Sequence, residues 1–432
     1  MKVPSLEDIV NSYSRFVPHQ FLQLLGKTSV TDIVLGESIE KRMTILFSDI
    51  RNFTSLSEAM TPRENFRFIN SYLECMEPVI TGHNGIIDKY MGDSIMALFP
   101  VSADSAIDAA IAMIGQLALF NKENKDKNYP PVSIGIGINT GIMMLGTIGG
   151  RNRMESTVIS DAVNLASRVE SMTKDLGVPV LVTEHTYQSL KDPSKYKIRY
   201  ADRVKVKGKE QPQSIYEVFS ADSPKLSKAK QKRIKAFENA IAYYYLKEIP
   251  KAFDLLDSIH RQCPDDTLAK LYLNRCSKYL KEGVYDGSGV INLSIEWNSG
   301  FEIGVNRIDE QHRQLFTSVK SFIDSLQKEH DFSQSASIMD FLKMYVLEHF
   351  RTEEEIMSDH GYPFFELEKT QHERFTEHFM RLDYEIKNST RDDWHFLLFK
   401  IQVLVIDWLI YHTFKLDKHF GKFLKTKQTV SK

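Results

Sequence analysis

Cysteine is scarce in this chain: three in 432 residues, Cys75, Cys263 and Cys276. Three scattered thiols make neither a disulfide framework nor a zinc cluster, which fits a reducing compartment. Charge of one sign is also missing. The 55 basic and 57 acidic side chains leave a net charge of −2, so neither nucleic acid nor a membrane surface is an expected partner. The N-terminus, "MKVPSLEDIVNSYSRF", lacks the apolar core of a signal peptide. The most apolar run, "FLLFKIQVLVIDWLIYHTF", is broken by Lys400, Gln402 and Asp407 and falls short of clean spanning length, which favours a buried helix. A soluble cytoplasmic protein is expected.

The length implies more than one domain, and the pattern changes character along the chain. An N-terminal helix and linker are expected over 1–42. From 43 to 220, strand-like runs ("MTILFSDI", "IIDKYM", "SIMALFP", "VSIGIGINTG") alternate with helical ones ("PRENFRFINSYLECMEPVIT", "SAIDAAIAMIGQLALFNK"), as in an α+β or α/β domain. Over 221–290 the polar, basic "SPKLSKAKQKR" leads into two or three antiparallel helices similar to one tetratricopeptide unit. A plain connector and a partner-binding surface are both consistent with it. Over 291–432 helix signals dominate, and nine of the 13 histidines fall there, a density that points to metal.

Two carboxylates in the first half stand at strand ends. "ILFSDIRNFTSLSE" puts Asp49 at the end of an apolar strand, and in "NGIIDKYMGDSIMALF" Gly92-Asp93 reads as a hairpin turn. Asp93 alone is equally a turn former. Paired with Asp49 it makes a candidate site for two hard cations, able to activate an attacking oxygen and neutralise phosphates.

Four motifs, "FSDIRNFT", "DKYMGDSIMALF", "VISDAVNLASRVES" and "VKVKGKEQPQSIYEV", together resemble the class III nucleotide cyclases over roughly residues 30 to 219. The resemblance implies a ferredoxin-like βαββαβ core acting as a head-to-tail homodimer with two composite sites. It implies that Asp49 and Asp93 bind two Mg²⁺ or Mn²⁺ ions, with the Ile50 carbonyl as a further ligand. The amides from Arg51 to Ser55 would cradle phosphates. Asn164 would orient the ribose, Arg168 would stabilise charge on the α-phosphate, and Lys207 or Lys209 would meet the terminal phosphates. Outside the motif, Arg168 reads as an ordinary surface arginine. At the base-reading positions stand Lys89 and Thr157. Adenine N1 accepts a hydrogen bond whereas guanine N1 carries a hydrogen, so a lysine, with three donors and no acceptor, points to ATP. Guanylate cyclases usually carry Glu at the first of these positions.

In "HFRTEEEIM" His349 and Glu353 are one helical turn apart. Alone they read as a solvated helix face. "IDEQHRQLF" adds His312, "EKTQHERF" adds His372, and "WLIYHTFKLDKHF" adds His412 and Asp417. The last two are five residues apart, which on an α-helix is roughly 500° of turn, so they are not expected to share a face closely, a spacing that still serves if each reaches a different side of a two-metal centre in a bundle core. With "IEWNSGFEIGVNRIDEQH" and "GYPFFELEKTQHERF", the set resembles the bacterial hemerythrin family over about residues 295 to 424. That resemblance implies an all-α antiparallel four-helix bundle holding two non-haem irons. His312 and His349 would serve one, His372 and His412 the other, with Glu353 and Asp417 bridging. His330, His360, His378, His395 and His419 match no ligand position. One departure stands out: where the family usually has a fifth histidine, the count from Tyr362-Pro363 reaches Glu368. Four histidines and three carboxylates would favour ferric iron, giving a site that oxidises readily and binds O₂ poorly as a carrier. The alternative is a Glu368 that faces solvent.

Together these resemblances imply an adenylate cyclase set by a C-terminal di-iron domain that senses O₂, redox state or NO. A guanylate cyclase with the same sensor, and an iron or O₂ binder with weak or no cyclase activity, are the competing readings.

Overall fold

The computed structural model describes residues 19–125, 130–150, 153–205, 212–285, 295–329, 332–388 and 394–430. They fall into two compact units: Met1–Lys235 with Asp257–Asn274, and Ala236–Leu256 with Arg275–Lys432. The helical stretch after Ser223 is thus shared between the two.

The first unit is built on an eight-stranded sheet. Its strands are β1 Ser38–Ile50, β2 Ile86–Met91, β3 Ser94–Phe99, β4 Ile134–Gly150, β5 Arg153–Ile159, β6 Val180–Thr183, β7 Ile198–Lys205 and β8 Pro212–Val218. The order is β2-β3-β1-β4-β6-β8-β7, with β5 paired to β4. All neighbours are antiparallel except β4 and β6. The helices are α1 His19–Leu24, α2 Phe53–Glu58, α3 Pro62–Gly82, α4 Ala103–Asn124, α5 Asp161–Leu176, α6 Glu184–Gln188 and α7 Pro224–Gln231. Their order around the strands is the α+β, βαββαβ arrangement implied by the resemblance.

Local chemistry sets the boundaries. Thr61 and Glu64 form a reciprocal capping box in front of Pro62, so α3 starts there. Alternate residues of β1 (Met43, Ile45, Phe47) join Phe21, Leu25 and Ala166 in one apolar cluster, as the period of two requires. Helix α5 crosses β4 closely because Gly137 has no side chain: a Cβ there would run into the backbone of Glu170 and Ala166. The expected loop from Arg51 to Ser55 is shorter than anticipated. Arg51 and Asn52 form the turn, Asn52 in the left-handed region at φ 56°, and α2 begins at Phe53.

Three helices, α8 Ile234–Tyr245, α9 Ile249–Gln262 and α10 Thr267–Glu282, occupy the stretch expected as a connector. In the second unit follow α11 Asn306–Glu329, α12 Phe332–Asp359 and α13 Phe365–Lys387. The final helix is composite: α14 Trp394–Ile401, a π-helical stretch Gln402–Ile406, α15 Asp407–Tyr411, a second π stretch His412–Asp417, and α16 Lys418–Val430. The bundle core is apolar, with Phe316, Phe322, Leu342, Phe375, Phe379 and Trp408 among its members.

Two helical stretches, Ala103–Asn124 and His395–Lys427, are long and apolar enough by length and composition to cross a membrane. The expectation that the second falls short of spanning length is therefore corrected: the helix continues past Phe414 to Val430. In this structure 67% of its apolar window is buried inside the protein, where it lines the bundle interior.

Candidate active site and metal centre

Asp49 and Asp93 meet at one end of the sheet. Asp49 is the penultimate residue of β1, and the β2–β3 turn carries Asp93 after Gly92, whose φ of 67° suits glycine. The Ile50 N–H donates to Asp93 Oδ2 at 3.2 Å, and the Ser94 hydroxyl donates to Asp49 Oδ1 at 2.5 Å. Burial, and then the charge of Asp49, push the Asp93 carboxyl up to about 6. Two half-buried carboxylates that repel each other are the donor set a hard divalent cation would neutralise.

The Arg51 side chain and Glu170 form a pair beside the aspartates that sequence reasoning did not find. Arg51 Nη1 lies 3.4 Å from Glu170 Oε1, and Glu170 is 8% exposed. Burial raises the Glu170 carboxyl to about 7, with Asp49 adding to the rise and Arg51 opposing it. Arg51 passes over Gly135, where any side chain would collide with its guanidinium. Position 170 is buried because it faces β4 from α5, information that the spacing of "SRVES" does not contain.

Lys89 and Thr157 come together as expected, with Lys89 Nζ 3.4 Å from Thr157 Oγ1. They belong to different hairpins, β2–β3 and β4–β5, which are not paired with each other in the sheet. Asn164 and Arg168 are one turn apart on the exposed side of α5. Lys207 and Lys209 lie outside the described residues.

The second centre is in the bundle. His312 comes from α11, His349 and Glu353 from α12, Glu368 and His372 from α13, and His412 and Asp417 from the final helix; none is more than 2% exposed. Glu353 divides its oxygens. Oε1 is 3.6 Å from His312 Nε2 and 3.5 Å from His349 Nε2, while Oε2 is 3.4 Å from His372 Nε2 and 3.6 Å from His412 Nε2. Asp417 does the same, with Oδ2 at 3.2 Å from His312 Nε2 and Oδ1 at 3.1 Å from His412 Nε2. His312, His349 and Glu353 form one potential cation group, and Glu353, His372 and His412 a second. The carboxylate oxygens of Glu353, Glu368 and Asp417 are buried without a hydrogen-bond partner. Such groups are costly unless charge reaches them, so the residues fit two cations spanned by two carboxylates.

The expectation that His412 and Asp417 do not share a face is corrected. The segment His412–Asp417 is π-helical, and its i→i+5 bonding returns the fifth residue to the same side. Glu368 does not face solvent either: it is 0% exposed, and burial pushes its carboxyl to about 7. Burial likewise drives the His349 imidazole down to about 4, holding it neutral as a ligand nitrogen must be. Burial opposes the charge on Glu353, but the imidazoles around it hold its carboxyl well below the usual range.

A supporting layer escaped the sequence reading. Glu354 Oε1 is 2.9 Å from His372 Nδ1, and Gln311 Oε1 is 3.4 Å from His349 Nδ1. Partners of this kind fix which ring nitrogen faces the centre. Phe350 stacks on His372 at 3.9 Å and Trp408 on His412 at 4.4 Å. The histidines matching no ligand position stay apart from the centre: His360 is exposed, His419 bonds Tyr362 Oη at 2.7 Å, and His395 packs on Tyr243. His378 is partly buried on α13, and His330 lies outside the described residues.

Residues 37–219 match the family model described as adenylate and guanylate cyclase catalytic domain, and residues 303–424 the one described as hemerythrin HHE cation binding domain. An adenylate cyclase of Anabaena cylindrica is 46% identical over 219 residues, covering 49% of this chain and 44% of that protein. A terminal-differentiation-specific adenylate cyclase of Dictyostelium discoideum is 35% identical over 287 residues, covering 65% of this chain and 13% of that protein. A crystal structure of an adenylyl cyclase from P. aeruginosa aligns with TM-score 0.39 and 32% identity, covering 42% of this chain and 95% of that one. The chain thus spans less than half the length of the two curated relatives. Its matched residues and its two donor sets agree: one polypeptide carries a class III nucleotide cyclase catalytic domain and a hemerythrin-type cation-binding domain.

Proposed function

We propose that the chain is an adenylate cyclase, converting ATP to cyclic AMP and diphosphate, whose rate is set by a di-iron centre in its bundle. The observation that carries the choice of substrate is the Lys89–Thr157 pair, 3.4 Å apart. A lysine donates to adenine N1 and a threonine hydroxyl accepts from the adenine amino group; guanine presents the opposite pattern to the lysine. Two Mg²⁺ or Mn²⁺ ions held by Asp49, Asp93 and the Ile50 carbonyl would supply charge neutralisation and an acidified 3′-hydroxyl.

The chain's own residues do the rest. Asn164 orients the ribose so that the 3′-oxygen points at the α-phosphorus. Arg168 meets the charge that grows on the α-phosphate as the bond to the leaving diphosphate breaks. Lys207 or Lys209 holds the terminal phosphates. A head-to-tail homodimer unites the aspartates of one subunit with Lys89, Thr157, Asn164 and Arg168 of the other.

In the bundle, His312 and His349 would hold one iron and His372 and His412 the other, with Glu353, Asp417 and Glu368 as carboxylate donors. A signal at this centre, whether O₂, redox state or NO, biases the cyclase dimer through the shared connector helices, which also offer a surface to a protein partner. The bias requires two states of different stability in the two conditions of the irons.

The test is the cyclase rate of purified protein with ATP and Mn²⁺ or Mg²⁺, anaerobic and diferrous, then after air oxidation, with the iron absorption followed in the same sample. A several-fold rate change tracking the spectrum supports the proposal and gives its sign. Equal rates in both conditions and after NO sink the regulatory half. Absence of cyclic AMP under every condition sinks the catalytic half.

A further inference from the structure

Strand β2 has an irregularity beside the base-reading lysine. Its pairing with β3 runs Ile87 to Ala97 and then Lys89 to Met96, so Asp88 is an extra residue, a β-bulge. In a regular strand, residues 88 and 89 would point to opposite faces. The bulge breaks that alternation, and Lys89 Nζ comes within 3.4 Å of Asp88 Oδ2. The Asp88 side chain is 0% exposed, and neither of its oxygens has a hydrogen-bond partner. Burial raises its carboxyl, and Lys89 is the group that opposes the rise.

Lys89 has a second carboxylate near it, Glu155 Oε1 at 3.7 Å, but Glu155 is 56% exposed. Water and salt screen that pair. Asp88 is unscreened, and a buried carboxylate without hydrogen bonds persists only beside its counter-charge. The ammonium is therefore held from behind by Asp88, with Thr157 Oγ1 on it at 3.4 Å.

We infer that Asp88 is a positioning residue for base selection: through the β2 bulge it anchors Lys89 beside Thr157, so that a fixed donor faces the purine N1 position. It touches no part of the nucleotide. Without it the flexible lysine chain swings towards Glu155 and solvent, and the pocket loses the donor that rejects guanine. This inference rests on the adenylate cyclase reading above.

The experiment measures kcat and KM for ATP and for GTP, with Mn²⁺, on the full chain. The variants are wild type, Asp88→Asn, Lys89→Met and the double substitution, each with its unfolding midpoint. Asp88→Asn is expected to raise KM for ATP about tenfold, with a much smaller change in kcat, and to narrow the ATP-to-GTP ratio of kcat/KM by a similar factor. In the Lys89→Met background the same change is expected to leave that ratio within about twofold, and the double variant to melt above Asp88→Asn alone, because both charges leave together. Should Asp88→Asn fail to fold, the double variant still decides: a ratio that differs from Lys89→Met, or no recovery of stability, overturns the inference. So does an equal loss on both nucleotides in Asp88→Asn. A wild type that makes no cyclic nucleotide fails the cyclase reading itself; an active wild type with an unchanged ratio in Asp88→Asn fails this inference alone.

Discussion

His412 and Asp417 stand five residues apart, yet His412 Nε2 and Asp417 Oδ1 are 3.1 Å from each other. The π-helical stretch His412–Asp417 makes this possible, since i→i+5 bonding widens the turn by one residue. Asp417 also reaches His312 with its other oxygen, at 3.2 Å. A carboxylate shared in this way is expected to hold the two cations as a pair. Asp417→Ala should lower bound iron from two per chain towards one, by elemental analysis, with far-UV circular dichroism unchanged. Two irons retained per chain would remove Asp417 from the ligand set.

Glu368 occupies a position where a neutral imidazole is usual in the resembling family. It is fully buried, one helical turn ahead of His372, with both oxygens unpartnered. An anionic oxygen donor there stabilises the higher charge of ferric iron. Diferrous protein exposed to air is therefore expected to oxidise without a phase in which argon restores the starting spectrum. Glu368→His should slow that oxidation roughly tenfold, the scale on which groups around a metal tune it. Reversible O₂ uptake by the wild type would refute this account.

Much of this was legible in the sequence, for physical reasons that differ by element. The strands of the first unit and helices such as α3 announced themselves through period: the run "PRENFRFINSYLECMEPVIT" begins at Pro62, where the structure begins α3. The seven bundle residues were legible through their motifs, though only His349–Glu353 and Glu368–His372 have the one-turn spacing of a helix face. What stayed hidden was long-range or irregular. Nothing in "HTFKLD" signals that this helix widens, because a π stretch is stabilised by what its side chains reach rather than by local propensity. Glu354 and Gln311 were hidden among charged and polar neighbours, where only burial tells a supporting residue from a solvated one. Glu170 was hidden for the same reason, and Asp88 because a bulge is a relation between two strands.

Glu170 gives a pH dependence whose sign can be worked out. Its carboxyl is raised from 4.5 to about 7 in the folded unit, by burial first and by Asp49 second. The folded state then binds the proton more tightly than the unfolded chain does. Stability is therefore lost as pH rises through that interval, at no more than roughly 1.4 kcal/mol per pH unit. In chelator-treated protein, the unfolding midpoint should fall between about pH 4.5 and about pH 7, the window those two values set. Glu170→Gln, which keeps the shape without the charge, should flatten the slope and unfold later at the alkaline end. An identical slope in the variant would mean that other groups carry it.

The most buried ion pairs of the first unit give the largest expected loss of stability. Arg199 on β7 donates to Glu217 Oε2 at 2.5 Å and, in a two-pronged contact at 2.8 and 2.6 Å, to Asp266 at the α9–α10 turn. Lys230 on α7 completes the group with Glu217 at 2.5 Å and Asp222 at 2.7 Å. Arg199 is 1% exposed, Glu217 0%, and Asp266 and Lys230 2% each. Pairs this deep are not a surplus of stability, because desolvation offsets most of their attraction; breaking one side is what costs, about 3–5 kcal/mol. Arg199→Met should therefore lower the unfolding free energy by about that amount, leaving two carboxylates in the interior with Lys230 as their nearby cation. Burial also shields the group from salt, so raising NaCl from roughly 0.05 to 0.5 M should leave the difference between variant and wild type unchanged. A difference that shrinks with salt would show that water reaches the cluster. A loss below about 1 kcal/mol, the scale of an exposed pair, would show that the carboxylates take up protons instead of remaining charged.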